Sequence, residues 1–212
     1  MRYILTLVAQ RDATSLTGGT IARVRDAAAG GEPIVLSPGE AADIPIADAP
    51  DMDAVRTALE GAAIDAIVTA AEGRRKALLV ADMDSTIVTG ETLDELADFA
   101  GLKQRIAAIT ARAMNGELDF KAALRERVGM LRGLQVDALE KTWERIRLTP
   151  GARDLAATMR AHGAFTALVS GGFSFFTGRV AAMVGFDLHR SNVLLDYGPA
   201  LARFPDRSTP PG

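Results

Sequence analysis

The sequence predicts an α/β protein in two units. A βαββαβ unit covers residues 1–72, and in residues 73–212 a long helical stretch lies between two apolar strands. Three observations predict it. Short runs of β-formers alternate with helix-patterned runs up to about residue 70. Two further apolar runs, Ala77–Ala81 and Ala164–Val169, each end in small polar residues, and the stretch between them is helical in pattern. The formal net charge of −3 is divided unevenly: residues 1–72 carry 5 basic and 11 acidic side chains, residues 73–212 carry 19 and 16. A mildly positive second unit suits anionic small molecules.

In chain order, Tyr3–Ala9 is rich in β-formers and reads as a strand. Ser15 is placed to cap a helix running to about Ala28, which Gly30-Gly31 ends. Pro33–Ser37 and Ala42–Ile46 read as strands on either side of the Pro38-Gly39 turn. Asp51–Leu59 reads as a helix and Ile64–Thr69 as a strand, which completes a ferredoxin-like plan. Residues 71–75 form a junction, and strand 77–81 follows. From Thr92 to Leu148 the pattern is helical, with breaks near Gly101, Gly116 and Gly133. Arg153–His162 is a further helix, Ala164–Val169 a strand and Thr177–Val184 a helix. The Pro-rich stretch 204–212 reads as disordered.

Composition narrows the function classes. The small net charge argues against a nucleic-acid partner. No apolar run reaches the roughly 20 residues that span a bilayer, so no membrane role is expected and a cytoplasmic protein is the default. The chain has no cysteine, which removes disulfides, thiolate nucleophiles and cysteine metal sites.

The chemistry concentrates at Asp82-Met83-Asp84-Ser85-Thr86, two carboxylates one residue apart where an apolar strand ends. By itself the pattern also suits an Asx turn. With its strand it resembles the nucleophile motif of the haloacid-dehalogenase-like phosphatases, and within them the chain resembles the phosphoserine phosphatases. The resemblance implies a Rossmann-like core carrying a helical cap, with Asp82 as nucleophile forming an aspartyl-phosphate. Asp84 is then the general acid and base. It also implies Mg²⁺ held by the Asp82 carboxylate, the Asp84 backbone carbonyl and a later aspartate, an all-oxygen set that suits magnesium. The core would then comprise 76–91 and 149–203, with the cap at about 92–148. Bacterial members often carry an ACT-like N-terminal unit of the ferredoxin-like plan, here 1–72, so a regulatory or scaffold role and a homodimer through that unit are expected.

A second apolar strand ends in Ser170-Gly171-Gly172, 88 residues after Asp82. Ser170 can donate to a phosphoryl oxygen, and glycines at 171 and 172 let backbone N–H groups approach an anion. A plain strand-to-helix turn is the other reading of these residues. In the insert, Glu91 resembles the family's carboxylate for the substrate ammonium, although a glutamate there also suits the helix macrodipole. Arg127 resembles the residue that grips the substrate carboxylate, and Met114 and Phe120 resemble those that close over the site. Taken singly, Arg127 also reads as a solvated helix charge, and Met114 and Phe120 as core. An acid for an amine and a base for a carboxylate together imply an amino-acid phosphate, phosphoserine, as substrate. His162 and His189 match no family position and read as surface or turn residues.

The resemblance runs from about Leu78 to Asn192, and Ser191–Leu195 still resembles the family's strand after the second motif. The family's later lysine and its Gly-Asp-Gly-x-Asn-Asp motif have no counterpart: the last lysine is Lys141, and the aspartates after Ser170 are Asp187, Asp196 and Asp206. Only 42 residues follow Ser170, too few for the remaining strands and crossovers of a doubly wound core. The expectation is a core incomplete at its C-terminus, with an uncovered apolar surface and weakened catalysis. The alternatives are a phosphatase for a related small phosphomonoester, or a non-catalytic remnant that binds an amino acid or another subunit.

Overall fold

The computed structural model describes residues 2–197 and 200–203, with side chains described to Leu194 except those of Met114 and Phe120. The chain divides into two compact units, Met1–Arg75 and Lys76–Gly212. The first contains β1 (Tyr3–Ala9), α1 (Gly18–Ala27), β2 (Ile34–Ser37), β3 (Ala41–Ile46), α2 (Met52–Ala58) and β4 (Ile64–Ala70). Its sheet order is β2-β3-β1-β4, with every neighbouring pair antiparallel, which is the ferredoxin-like arrangement. Strand alternation sends Leu5 and Leu7 of β1 and Ala42, Ile44 and Ile46 of β3 to one face. There they bury against Ile21 and Val24 of α1 and Val55 of α2. A fully buried side chain of this size contributes about 1.5–3 kcal/mol.

Helix α1 is capped by Thr17, whose Oγ1 accepts from Thr20 N at 3.2 Å, and not by Ser15. Ser15 is engaged in the 38–39 turn instead: its hydroxyl donates to Gly39 O, and Leu16 bridges to Gly39. On the opposite face of the sheet Asp43 is only 4% exposed. Its carboxylate accepts from Thr6 Oγ1 at 2.7 Å and from the Arg74 guanidinium, which ties the 71–75 segment to the sheet. Edge strand β2 leaves Ile34, Val35 and Leu36 more than half exposed.

The second unit begins with β5 (Leu78–Ala81) and a wide turn, Met83–Ile87, closed by Val88 N donating to Met83 O. Then come α3 (Thr92–Phe99), α4 (Lys103–Met114), α5 (Phe120–Met130) and α6 (Asp137–Arg145). They are separated at Gly101, Gly116 and Gly133, all with left-handed φ of 66°, 77° and 86°, which a side chain would strain. The insert leaves and returns through paired backbone. Val88 bridges to Leu148, Thr89 N donates to Arg147 O and Thr149 N to Ile87 O.

The chain continues through α7 (Ala152–Ala161), β6 (Phe165–Phe173), α8 (Ser174–Val184) and β7 (Leu188–Asn192), and then a hairpin of β8 (Leu195–Tyr197) and β9 (Ala200–Arg203). Strands β5-β6-β7 form a parallel sheet in that order. Ala81 and Leu168 pack in one core with Ala156 of α7, Phe176 and Val180 of α8, and Leu96 and Ile106 of the insert. The other sheet face presents Leu78, Val80, Phe165 and Val169, each 44–58% exposed.

Three boundaries differ from the sequence reading. Strand β6 does not stop at Val169. Its pairing with β7 jumps from Val169–Arg190 to Phe173–Asn192, so 170–172 bulge out of an otherwise continuous strand. Helix α8 starts at Ser174, directly after this bulge, rather than at Thr177. The next strand is Leu188–Asn192, not Ser191–Leu195. As an edge strand with half-buried residues it shows little of the apolar alternation that marks strands in sequence. His189 therefore lies in a strand, with Nδ1 3.4 Å from Thr177 Oγ1, whereas His162 ends α7 and is exposed. The stretch 204–212, read as disordered, lies outside the described residues.

Candidate active site

Asp82 and Asp84 sit where β5 ends and the chain turns. Asp82 is extended (φ −76°, ψ 159°), and its Oδ1 accepts from Met83 N at 2.8 Å, leaving the side chain exposed at the strand's carboxyl end. Asp84 is also extended, at φ −68° and ψ 136°, and Ser85 then reverses the chain in the left-handed region at φ 52° and ψ 16°.

The Asp84 carboxylate is the hub of the site. Oδ1 accepts from Thr92 N, the first residue of α3, at 2.9 Å, and Oδ2 accepts from Ser170 Oγ at 3.4 Å. The second contact joins motifs 86 residues apart through the parallel pairing of β5 and β6. Burial pushes the Asp84 carboxyl above the ordinary carboxylate range. The bond from Thr92 opposes this, and the charges of Glu91 and Asp82 add to it. A carboxyl that holds its proton more readily is what a general acid requires.

Ser170, 9% exposed, also accepts from Gly172 N at 2.8 Å. A Cβ on Gly172 would lie 3.1 Å from both Asp84 Oδ2 and Ser170 Oγ, so a side chain there would press on the contact between the two motifs. Gly171 is exposed, and its carbonyl accepts from Asn192 Nδ2 at 2.8 Å, which steadies the bulge from β7.

Glu91 immediately precedes α3, but its side chain does not cap the helix. Its Oε1 accepts instead from Ser85 Oγ at 2.6 Å. The helix-terminus explanation of Glu91 thus accounts for its position but not for where its carboxylate is held.

Arg127, on α5, is half-buried rather than solvated. One guanidinium nitrogen donates to Thr110 Oγ1 at 3.4 Å, while Nε is buried with no hydrogen-bond partner among the described residues. Asp94 of α3 lies within electrostatic reach of both Glu91 and Arg127. Burial and then Glu91 raise its carboxyl, while Arg127 and Lys103 pull it down. Met114 closes α4 and Phe120 opens α5. The part their side chains play falls outside what the structure describes.

Sequence reasoning passed over Ser85, Asp94 and Asn192. Asp94, three residues after Glu91, carried a signal in its helical spacing. Asn192 carried none, because its partner is a backbone carbonyl on another strand.

Among the described residues no three carboxylate or imidazole side chains gather to hold a metal ion. The Asp82 carboxylate and Asp84 carbonyl are hard oxygen donors that fit magnesium in kind, but they are two where a firmly held ion has more. The N-terminal unit has a depression of about 410 Å³ with a single ionisable lining residue, Asp65.

A parallel α/β core with a helical insert and two motifs meeting at adjacent strand ends defines a class. Residues 79–198 match the haloacid dehalogenase-like hydrolases, and the chain belongs to that family. More particularly, it is 48% identical over 121 residues to the phosphoserine phosphatase of Archaeoglobus fulgidus, covering 57% of this chain and 35% of that one. A solved phosphoserine phosphatase, captured as a phospho-aspartyl intermediate analogue, matches with a TM-score of 0.57 and 36% identity over 61% of this chain and 62% of its own. A probable phosphoserine phosphatase from Vibrio cholerae matches with a TM-score of 0.72 and 26% identity, covering 98% of this chain and 64% of that one. The chain spans about half the length of the curated relatives it matches. No helix among the described residues is long and apolar enough to cross a membrane.

Proposed function

We propose that this chain is a phosphoserine phosphatase, hydrolysing O-phospho-L-serine to L-serine and phosphate. The observation that carries the reading is the hydrogen bond between Ser170 and Asp84, which brings the second motif onto the first. The phospho-aspartyl form of the related phosphatase supports the covalent route. Asp82 attacks phosphorus as the P–O(seryl) bond breaks, and Asp84 gives its proton to the departing seryl oxygen. Water then attacks the aspartyl-phosphate, and Asp84 takes the water's proton as phosphate leaves. Ser170 Oγ and the Gly171 backbone N–H stabilise charge on the phosphoryl oxygens. Glu91 takes the substrate ammonium and Arg127 its carboxylate, with Met114 and Phe120 closing the site.

Magnesium, held by Asp82 and the Asp84 carbonyl, supplies charge neutralisation at the phosphoryl group when bound. The ferredoxin-like unit serves as an ACT-like scaffold, and its apolar edge strand β2 supports a homodimer through that unit.

Phosphate release from L-phosphoserine with Mg²⁺, compared between the chain and Asp82→Asn, tests the reading. Release that the substitution abolishes is expected. Release that survives Asp82→Asn would overturn the covalent assignment.

A further inference from the structure

We propose that Ser85 is a positioning residue for Glu91, its hydroxyl holding the carboxylate in the orientation that reads the substrate ammonium. The proposal rests on the phosphoserine reading above. Ser85 Oγ donates to Glu91 Oε1 at 2.6 Å, the short contact of a hydroxyl on an ionised carboxylate. Both residues are exposed, so burial does not force the contact.

The backbone is shaped for it. Ser85 occupies the left-handed region at φ 52°, which a non-glycine residue adopts at a cost, and such residues cluster where the strain serves a site. The reversal turns Ser85 back over the end of the same loop, where its N–H donates to Gly90 O at 3.1 Å. One residue earlier, Asp84 takes the N–H of Thr92. Asp84 and Ser85 therefore grip Gly90, Glu91 and Thr92 in turn, and the recognition carboxylate is registered to the proposed proton donor.

A free glutamate has three side-chain torsions to order when a ligand arrives. One already hydrogen-bonded on Oε1 has fewer, and Oε2 remains for the ammonium. Ser85 thus acts on affinity for the amine and not on affinity for the phosphate.

The test is calorimetric titration of the full chain with and without Ser85→Gly, both in the Asp82→Asn background that blocks turnover, with two ligands in the presence of Mg²⁺: L-phosphoserine, and the phosphate ester of 3-hydroxypropanoate, which lacks only the amine. Glycine accepts φ 52° without strain, so the variant loses the hydroxymethyl side chain while the turn stays accessible to the backbone. The parent is expected to prefer L-phosphoserine. In Ser85→Gly that preference should shrink about tenfold, with the affinity for the des-amino ester unchanged. A variant that keeps the parent's preference overturns the proposal while the phosphoserine reading stands. Equal weakening of both ligands also overturns it, because it shows a general structural role. A parent that does not discriminate between the two ligands removes the phosphoserine reading and this proposal together.

Discussion

Replacing Gly172 by alanine places one methyl group between the two halves of the proposed catalytic site. The new Cβ would stand 3.1 Å from Asp84 Oδ2, 3.1 Å from Ser170 Oγ and 3.4 Å from the Met83 methyl carbon. Ordinary contact is several tenths of an ångström longer, so a neighbour must move. Neither polar neighbour retreats freely. The other oxygen of Asp84 is held by Thr92 N at 2.9 Å, and Ser170 Oγ is held by the N–H of residue 172 itself at 2.8 Å. The easiest response is rotation of the Asp84 carboxyl, which shifts the proton-carrying oxygen and lengthens a Ser170 contact already at 3.4 Å. A misplacement of about 1 Å costs on the order of 10² in rate, so a few tenths should cost roughly three- to tenfold in kcat/KM. The backbone at 172 lies outside the left-handed region, so the fold should tolerate alanine. Phosphate release from L-phosphoserine, with thermal unfolding alongside, reads both effects. An unchanged kcat/KM would refute the claim that the two motifs meet at this glycine, as would a loss that merely follows a fall in Tm.

Two predictions concern stability. The Asp187 carboxyl is held below its usual 3.8 chiefly by the backbone N–H of Thr166 at 2.8 Å, then by the Thr166 hydroxyl at 2.9 Å, with Arg160 adding to it. Because the folded pKa is the lower one, this stabilisation is complete above pH 3.8 and is lost as acid carries the pH down through the folded value. Asp187→Asn should therefore lower Tm at neutral pH, with the gap from the parent closing on acidification below about pH 4; a gap that does not change with pH counts against the assignment. In the N-terminal unit, Arg74→Ala strips the charged partner from Asp43, whose side chain is 6% exposed, while Arg74's is 35% exposed. Leaving a buried acceptor poorly satisfied costs about 1–3 kcal/mol, which denaturant unfolding of the full chain should resolve. No shift in the unfolding midpoint would mean that water replaces the guanidinium.

The elements legible in the sequence were those whose own residues carry the signal. Strand β1 alternates its buried leucines, and the insert breaks at glycines that the structure finds left-handed. Asp51 caps α2 by accepting from Asp53 N and Ala54 N, the local pattern its position predicts. The misread elements take their state from partners distant in sequence. Ser15 had the chemistry of a cap, but Gly39 claimed its hydroxyl. Strand β7 is a strand because β6 lies beside it, and Leu-His-Arg-Ser-Asn has little strand character of its own.

The candidate site divides in the same way. Sequence alone determined which groups can do the chemistry: carboxylates at 82, 84 and 91, the Ser-Gly-Gly run at 170–172 and a guanidinium at 127. These are properties of residue type, and their spacing along the chain is covalent. Only the tertiary structure decided which of them act on one another. The parallel pairing of β5 with β6 carries Ser170 to Asp84, the reversal at Ser85 returns its hydroxyl to Glu91, and β7 presents Asn192 to the Gly171 carbonyl. Each of these contacts depends on strand register and on a backbone conformation set by packing, which residue order by itself does not contain.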